Sequence, residues 1–319
     1  MKDKYVLGID TSNYKTSVAV TDQNRNIICD LRRFLKVKQG EKGLRQSDAL
    51  FQHIKNLPEL VEQLMEKEKY EFAAIAYSSR PRPVYGSYMP VFLAGEGYGR
   101  TLAAALGIPA LAFSHQEGHV EAIKAFSLHS DEKSLLACHF SGGTCELLVT
   151  TETSSGYDIQ IIGGSKDISF GQVIDRAGVY LGMEFPAGEE MDRLACNAAG
   201  GSEVLTPVKV KDAWLNLSGM DTQVKRVLSQ RGNEAYEDVV RELFEKIAGA
   251  MVEMISQGVK KTGIRNVLMA GGVASSRFMR ASMEGALNAM DIRVVFDDRG
   301  LAQDNAVGTA LLGGKSIWG

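Results

Sequence analysis

One pattern occurs twice in this chain and restricts its fold more than any other. From Tyr5 to Val20 the residues read as strand, small polar turn and strand, with a third strand from Asn26 to Phe34. The same order returns at Leu135 to Val149, around the turn Ser141-Gly142-Gly143-Thr144, with Asp158 to Ile162 as its third strand. Two copies of one unit point to a duplicated domain. Helical periodicity fills the remainder at Ser47 to Glu66, Val91 to Leu106, His115 to Phe126, Ser169 to Leu181, Tyr236 to Thr262, Ser275 to Asn288 and Ala302 to Leu312. Strands at Ala73 to Tyr77, Ile108 to Phe113, Asn266 to Met269 and Ile292 to Phe296 alternate with those helices, which predicts an α/β fold with two central sheets. No low-complexity linker separates the halves, so they are expected to pack closely around a cleft, with a boundary in the polar stretch Ser127 to Lys133.

The two turns are candidate anion sites. In Asp10-Thr11-Ser12 and Ser141-Gly142-Gly143 the small side chains let backbone N–H groups approach a phosphate, and the hydroxyls add donors. Either turn alone is better explained as a plain hairpin; their repetition at equivalent positions favours a nucleotide clamp. Asp10, at the end of its strand, is a candidate Mg²⁺ carboxylate. A third element, Gly271-Gly272 through Ser276, follows a strand and precedes a helix, where amides suit an anion or the face of a base, although a structural turn accounts for it equally well. Asp175 and Asp192 could accept two ribose hydroxyls, or could be ordinary helix-surface acids.

Between the two units stands Ser114-His115-Gln116-Glu117-Gly118-His119. Histidines four residues apart face one side of a helix and can share a metal ion. Taken alone the pair fits a decorated helix as well as a metal site, and its neighbours must decide.

Composition narrows the classes. With 319 residues, 45% hydrophobic and 24% charged, and a net charge of -3, the chain resembles an ordinary soluble two-domain protein with no basic footprint for unaided nucleic-acid binding. Four cysteines without CxxC spacing suit free thiols. No apolar leader precedes the first strand, and no run approaches the roughly 18 apolar residues of a membrane helix, so a cytoplasmic protein without membrane contact is expected.

Together these residues resemble the threonylcarbamoyladenosine tRNA synthase family, also known as the O-sialoglycoprotein endopeptidase or glycoprotease family, within the actin, sugar kinase and heat-shock chaperone superfamily. The resemblance spans essentially the whole chain. It rests on Gly8-Ile9-Asp10-Thr11-Ser12, His115 to His119, Ser141-Gly142-Gly143, Pro186-Ala187-Gly188 with Asp192, Ser218-Gly219, Gly271-Gly272-Val273-Ala274 and Asp304-Asn305-Ala306. It implies duplicated actin-like domains of ribonuclease H-like type: residues 1–130, completed by a C-terminal helix around 302–319, and residues 131–301. It implies a divalent ion, Fe²⁺ or Zn²⁺, on His115, His119 and Asp304, with His139 as a further ligand. It also implies ATP or an acyl-adenylate held by Asp175, Gly188 and Asp192, with Gly272 near the base. The family transfers a threonylcarbamoyl group to the exocyclic amine of a tRNA adenosine, with help from partner proteins; a homodimer or heteromeric complex is expected.

The chain departs from the family pattern around the acceptor. Asn13-Tyr14-Lys15 replaces an acidic pair, Thr144 replaces His or Asn, Asp221 follows Met220 where Lys is usual, and Ser276 replaces Asn. Ser79-Arg80-Pro81-Arg82-Pro83 stands where Gly-Pro-Gly is usual; prolines stiffen this loop, and its two guanidiniums could take a carboxylate or phosphate bidentately, although a solvated basic loop accounts for it equally well. Lys15, Arg80 and Arg82 are therefore the candidate catalytic residues, and a paralogue is implied. A related acyl or carbamoyl transfer to another acceptor, or an ATP-binding scaffold, are the alternatives. Proteolysis is disfavoured because Glu117 lies between the two histidines instead of following the first, as a zinc-peptidase base does.

Overall fold

The structure, a computed structural model, describes residues 4–12, 14–37, 44–231 and 236–319. Asn13, one of the family departures, lies outside the described residues. Strands β1 (Tyr5–Thr11), β2 (Lys15–Asp22), β3 (Ile27–Phe34), β4 (Phe72–Arg80) and β5 (Ala110–Ser114) form one sheet in the order β3-β2-β1-β4-β5. Strands β6 (Ser134–Phe140), β7 (Cys145–Thr153), β8 (Gly156–Ser165), β9 (Trp214–Leu215), β10 (Asn266–Ala270) and β11 (Arg293–Val295) form the second, in the order β11-β10-β6-β7-β8-β9.

The repeat seen in the sequence is a repeat of topology. β1 pairs antiparallel with β2 and parallel with β4; β6 pairs antiparallel with β7 and parallel with β10. Each is an interior strand covered on both faces, which is why six of seven residues in each are buried and apolar side chains run consecutively instead of alternating. The chemistry-bearing turns leave the carboxyl ends of these two strands, where open α/β sheets place their ligands.

Helices α1 (Gln46–Lys67), α2 (Phe92–Leu106), α3 (His115–Lys124) and α9 (Val307–Trp318) cover the first sheet or its edge. Helices α4 (Phe170–Tyr180), α5 (Gly188–Asn197), α6 (Ser218–Arg231), α7 (Glu237–Thr262) and α8 (Arg277–Ala289) belong with the second, where α7 contributes eleven buried residues to the hydrophobic core. The last helix in the chain packs on β1, β4 and β2 of the first sheet and on α3.

Most predicted elements occur, with informative exceptions. α5 and α6 lie in segments without a predicted helix, since α6 carries polar residues on most of its surface and α5 is short. The helix expected from Ala302 to Leu312 begins instead at Val307, because the Asn305 side-chain oxygen accepts the amides of Val307 (2.9 Å) and Gly308 (3.4 Å), leaving 302–306 as a loop. The helix expected from Ser275 starts at Arg277: Gly272–Ser275 is a separate 3₁₀ turn, and Ser276 caps α8 by accepting the Met279 amide at 3.1 Å. The strand expected to start at Ile108 starts at Ala110, since α2 ends on Gly107 with a left-handed φ of 67°. The capping box predicted at Ser169 and Gln172 is present. Among the described residues no helix is long and apolar enough to cross a membrane.

Candidate metal centre and nucleotide cleft

β5 hands directly to α3, and the junction is fixed by a second capping box. Ser114 Oγ accepts the Glu117 amide at 3.2 Å, and Glu117 Oε2 accepts the Ser114 amide at 2.7 Å. Glu117 Oε1 accepts the Tyr157 amide at 3.2 Å, so both its oxygens serve structure and neither is placed as a general base. The box sets the start of α3, and with it the two histidines. His119 Nε2 lies 3.0 Å from His115 Nε2 and 3.2 Å from Asp304 Oδ1; His115 Nε2 lies 3.5 Å from the same oxygen. These three donor atoms fall within 4.8 Å of one another.

His115 is oriented from behind. Its Nδ1 lies 2.9 Å from Asp10 Oδ1, and Asp10 is itself held by the Ser78 hydroxyl and, through Oδ2, by the Ser12 amide at 3.2 Å. Asp10 is completely buried with both oxygens taken, so it orients a ligand and is not an open Mg²⁺ carboxylate. With Nδ1–H donated to Asp10, the Nε2 lone pair of His115 faces His119 and Asp304, as a metal ligand requires. Two imidazoles and one carboxylate are a donor set for Zn²⁺ or Fe²⁺.

The electrostatics show a site that calls for positive charge. Burial disfavours the charged His115 ring, but Asp10 and Asp304 outweigh it and push this histidine up to about 10. Asp304 is held well below the usual carboxylate range, because its hydrogen bonds and charge contacts with His115 and His119 overcome burial. His119 is lowered by burial and by the neighbouring His115 charge; His139 is driven well down by burial and by both histidines.

His139 does not join the set of three. Its ring centre is 4.7 Å from that of His119 and 6.4 Å from that of His115, and its buried Nδ1 has no hydrogen-bond partner, like Nδ1 of His119. It sits on β6 with its ring facing the cluster from the other sheet, whereas the three ligand atoms come from α3 and the loop before α9.

The nucleotide residues are placed unevenly. Asp175 on α4 is buried, accepts the Ala187 amide at 2.9 Å, and lies beside Gly142 of the second turn. Burial raises its carboxyl to about 6, against the lowering by the Ala187 and Gly188 amides. Gly188 opens α5, and Gly271, at φ 91°, brings the third element against Phe140, with its amide on Ala302 O at 2.8 Å. Gly272 begins the 3₁₀ turn.

Asp192 departs from its expected role: its oxygens accept the Ser276 hydroxyl and the amides of Arg277 (3.1 Å) and Phe278 (3.1 Å), capping α8. Ser276 is consumed in the same cap. The turns also differ from open phosphate cradles. Thr11 Oγ1 donates to Val91 O at 2.9 Å and accepts the Gly95 amide, so it faces α2 and not the cleft. Ser141 Oγ accepts the amides of Gly143 and Thr144, closing that turn on itself, while Ser12 Oγ is buried without a partner.

Of the three candidate catalytic cations, Arg82 is committed. It pairs with Glu146, which also accepts from Gln116 Nε2 at 2.9 Å, joining the loop after β4 to β7 across the two halves. Arg80 donates to Ser79 Oγ at 3.2 Å, a local contact. Lys15 is 5% exposed; burial lowers its amine, and Asp304 acts in the opposite direction. Ser78, Gln116 and Glu146 were missed in the sequence. Only Glu146 carried a signal, as the residue paired across strands with His139.

The halves meet at this site. Tyr14, beside Lys15, stacks obliquely on Phe185 with ring centres 5.9 Å apart, and burial followed by the charges of Asp175 and Asp304 raises its phenol. Two sheets of matching topology define an actin-like α/β protein. Solved structures share that fold: component A of the (R)-2-hydroxyglutaryl-CoA dehydratase of Acidaminococcus fermentans (TM-score 0.59, 14% identity, 98% of this chain and 99% of that one) and HypF of T. kodakarensis (TM-score 0.63, 12% identity, 99% and 48%). A curated relative, the tRNA N6-adenosine threonylcarbamoyltransferase of Geobacillus kaustophilus (strain HTA426), is 29% identical over 329 residues, covering 98% of this chain and 91% of its own length. The sequence model of the TsaD family, tRNA N6-adenosine threonylcarbamoyltransferase, matches residues 36–311, and the chain belongs to that family.

Proposed function

We propose that this protein transfers a threonylcarbamoyl group from its adenylate to the N6 amine of adenosine in tRNA. The observation that carries the reading is the convergence of His115 Nε2, His119 Nε2 and Asp304 Oδ1 within 4.8 Å, at the cleft between the halves of a chain of this family. These residues would hold one divalent ion, Fe²⁺ or Zn²⁺, which supplies Lewis-acid polarisation to the acyl donor. Asp10 fixes the His115 ring, and Ser78 fixes Asp10. Asp175, with Gly188 and Gly272 nearby, would receive the nucleoside. The acceptor nitrogen forms a bond to the carbamoyl carbon, the bond from that carbon to the phosphate oxygen breaks, AMP departs and the amine gives up one proton to solvent; no side-chain nucleophile is required. Positioning the two reactants supplies much of the rate.

On this reading residues 1–130 with α9 form one domain and 131–301 the other, and Mg²⁺ accompanies any bound ATP. The protein works in the cytoplasm and, with a net charge of -3, takes tRNA only with partner proteins, as a homodimer or in a heteromeric complex.

The test is to incubate the purified chain, with partner subunits, threonylcarbamoyl-adenylate and unmodified tRNA, and to look for the modified nucleoside. Modification that stops on chelation and returns with Fe²⁺ or Zn²⁺ is expected. Its absence under all these conditions would turn the reading to an acyl transfer onto another acceptor or to an ATP-binding scaffold.

A further inference from the structure

The loop that follows β4 carries a bare aromatic tip. Tyr85 is fully exposed, and Val84 and Tyr88 beside it in the chain are 47% and 63% exposed. Among the described residues neither tyrosine ring stacks on another, and neither hydroxyl is hydrogen-bonded. Two aromatic side chains left in water on one short turn forgo the large apolar burial that such rings offer. The turn is nevertheless held in shape. Ser87 donates its amide to Val84 O at 3.2 Å, the Ser87 hydroxyl accepts the Arg82 amide at 3.0 Å, and Gly86 supplies a left-handed φ of 77°. The backbone therefore presents the rings.

The base of the loop is tied to the candidate metal centre. Pro81 O accepts the amide of Gln116, the residue after His115, at 3.0 Å, and Arg82 pairs with Glu146 of β7. Four residues span at most about 14 Å, so Tyr85 stands within that distance of Pro81 and within a few nucleotides of a group reacting at that centre. Charge on the same loop narrows the partner. Arg80, where the chain leaves β4, donates to the neutral Ser79 Oγ, and among the described residues no carboxylate pairs with it. Bare rings and an unmatched guanidinium on one loop suit single-stranded RNA, whose unpaired bases stack on the rings and whose phosphates answer the cation. An apolar protein partner would cover the rings and leave the cation unmatched.

We propose that Tyr85 is a stacking platform for an unpaired base of the acceptor RNA, close in sequence to the adenosine whose amine reacts. The inference rests on transfer to tRNA as the proposed function and adds a residue that grips the acceptor. It also places part of a nucleic-acid footprint that a net charge of -3 does not supply over the whole surface.

The experiment compares the wild-type chain with Tyr85→Ala, Tyr85→Leu and Tyr85→Phe in tRNA modification, with partner subunits and threonylcarbamoyl-adenylate present. The Ala and Leu substitutions are expected to raise KM for tRNA about tenfold, with kcat and KM for the adenylate unchanged. Tyr85→Phe is expected to keep wild-type values, because stacking needs the ring and not the hydroxyl. Wild-type KM in all three variants, or rescue by Leu as complete as by Phe, overturns the platform; the second result marks an apolar contact with a partner protein. Photo-crosslinking with tRNA that carries 4-thiouridine flanking the target adenosine does not depend on turnover. Attachment within residues 84–88 is expected, and its absence overturns the proposal. A wild-type chain that crosslinks at this loop yet modifies no tRNA defeats the transfer reading and keeps the platform.

Discussion

Gly308 of α9 lies directly against the carbonyl of Gly118 of α3, so closely that any side chain at 308 would overlap that carbonyl. Gly118 stands between the two metal-type histidines, and Gly308 follows Asp304 by four residues. The backbone contact of two glycines thus decides how near the carboxylate comes to the imidazoles. Gly308→Ala is expected to separate the helices, lowering stability by about 1–3 kcal/mol as overpacking does. Metal content at saturating Zn²⁺ and the unfolding midpoint would both fall; a variant with wild-type values for both would mean that the crossing does not set the site.

Asp10 acts through His115. Asp10→Asn removes the charge that holds the ring while keeping its shape, and metal affinity is expected to drop by about 10–100-fold, the usual effect of losing an outer-shell partner. Competition with a chromophoric chelator measures this directly, and an unchanged affinity would remove Asp10 from the site.

Nucleotide binding should weaken in mild acid. The Asp175 carboxyl is raised to about 6, so it is ionised and able to accept ribose hydroxyls above that pH and becomes protonated below it. Affinity for AMP is expected to fall as pH drops through about 6, and in Asp175→Asn to be low and flat over the same window. A wild-type affinity constant from pH 7 to 5 would exclude Asp175 from the contact.

Stability should fall over a neighbouring range for a different reason. His53 on α1 is fully buried, 2.9 Å from Thr16 Oγ1 through Nδ1, and burial lowers it to about 4. Above pH 6.5 it is neutral in both the folded and the unfolded chain. Below 6.5 the unfolded chain takes up a proton that the folded chain refuses until about 4, so stability is lost as pH falls between these values, by about 3 kcal/mol in all. Denaturant titrations of wild type and His53→Gln at pH 7 and 4.5 check this, the variant losing less on acidification.

Arg82→Ala leaves Glu146, buried and bonded to Gln116, without its cation. With Arg82 itself 42% exposed at the side chain, the loss is expected at about 1 kcal/mol, and Arg82→Ala with Glu146→Gln together should cost less than the sum of the two. Additive effects in that double-mutant cycle would show the pair to be incidental.

The order of strands and turns was legible because each strand is marked by its own run of apolar residues and each turn by its own small side chains; these are local properties. Helix ends were less legible where a side chain decided them. Asn305 starts α9 five residues later than periodicity suggests, and that delay leaves Asp304 on a loop free to reach the histidines.

By itself the sequence determined the α/β class, the duplicated strand unit, the family and the i, i+4 histidine pair, since all of these reside in spacing along the chain. Only the tertiary structure decided which charged groups remain available. It spent Asp192 and Ser276 on the cap of α8, Thr11 on α2 and Arg82 on Glu146, and it left Arg80 on the neighbouring Ser79. Commitments of that kind depend on which donor meets which acceptor across the fold, over separations of 84 residues for Ser276 and Asp192 and 64 for Arg82 and Glu146, and no local pattern in the chain encodes them.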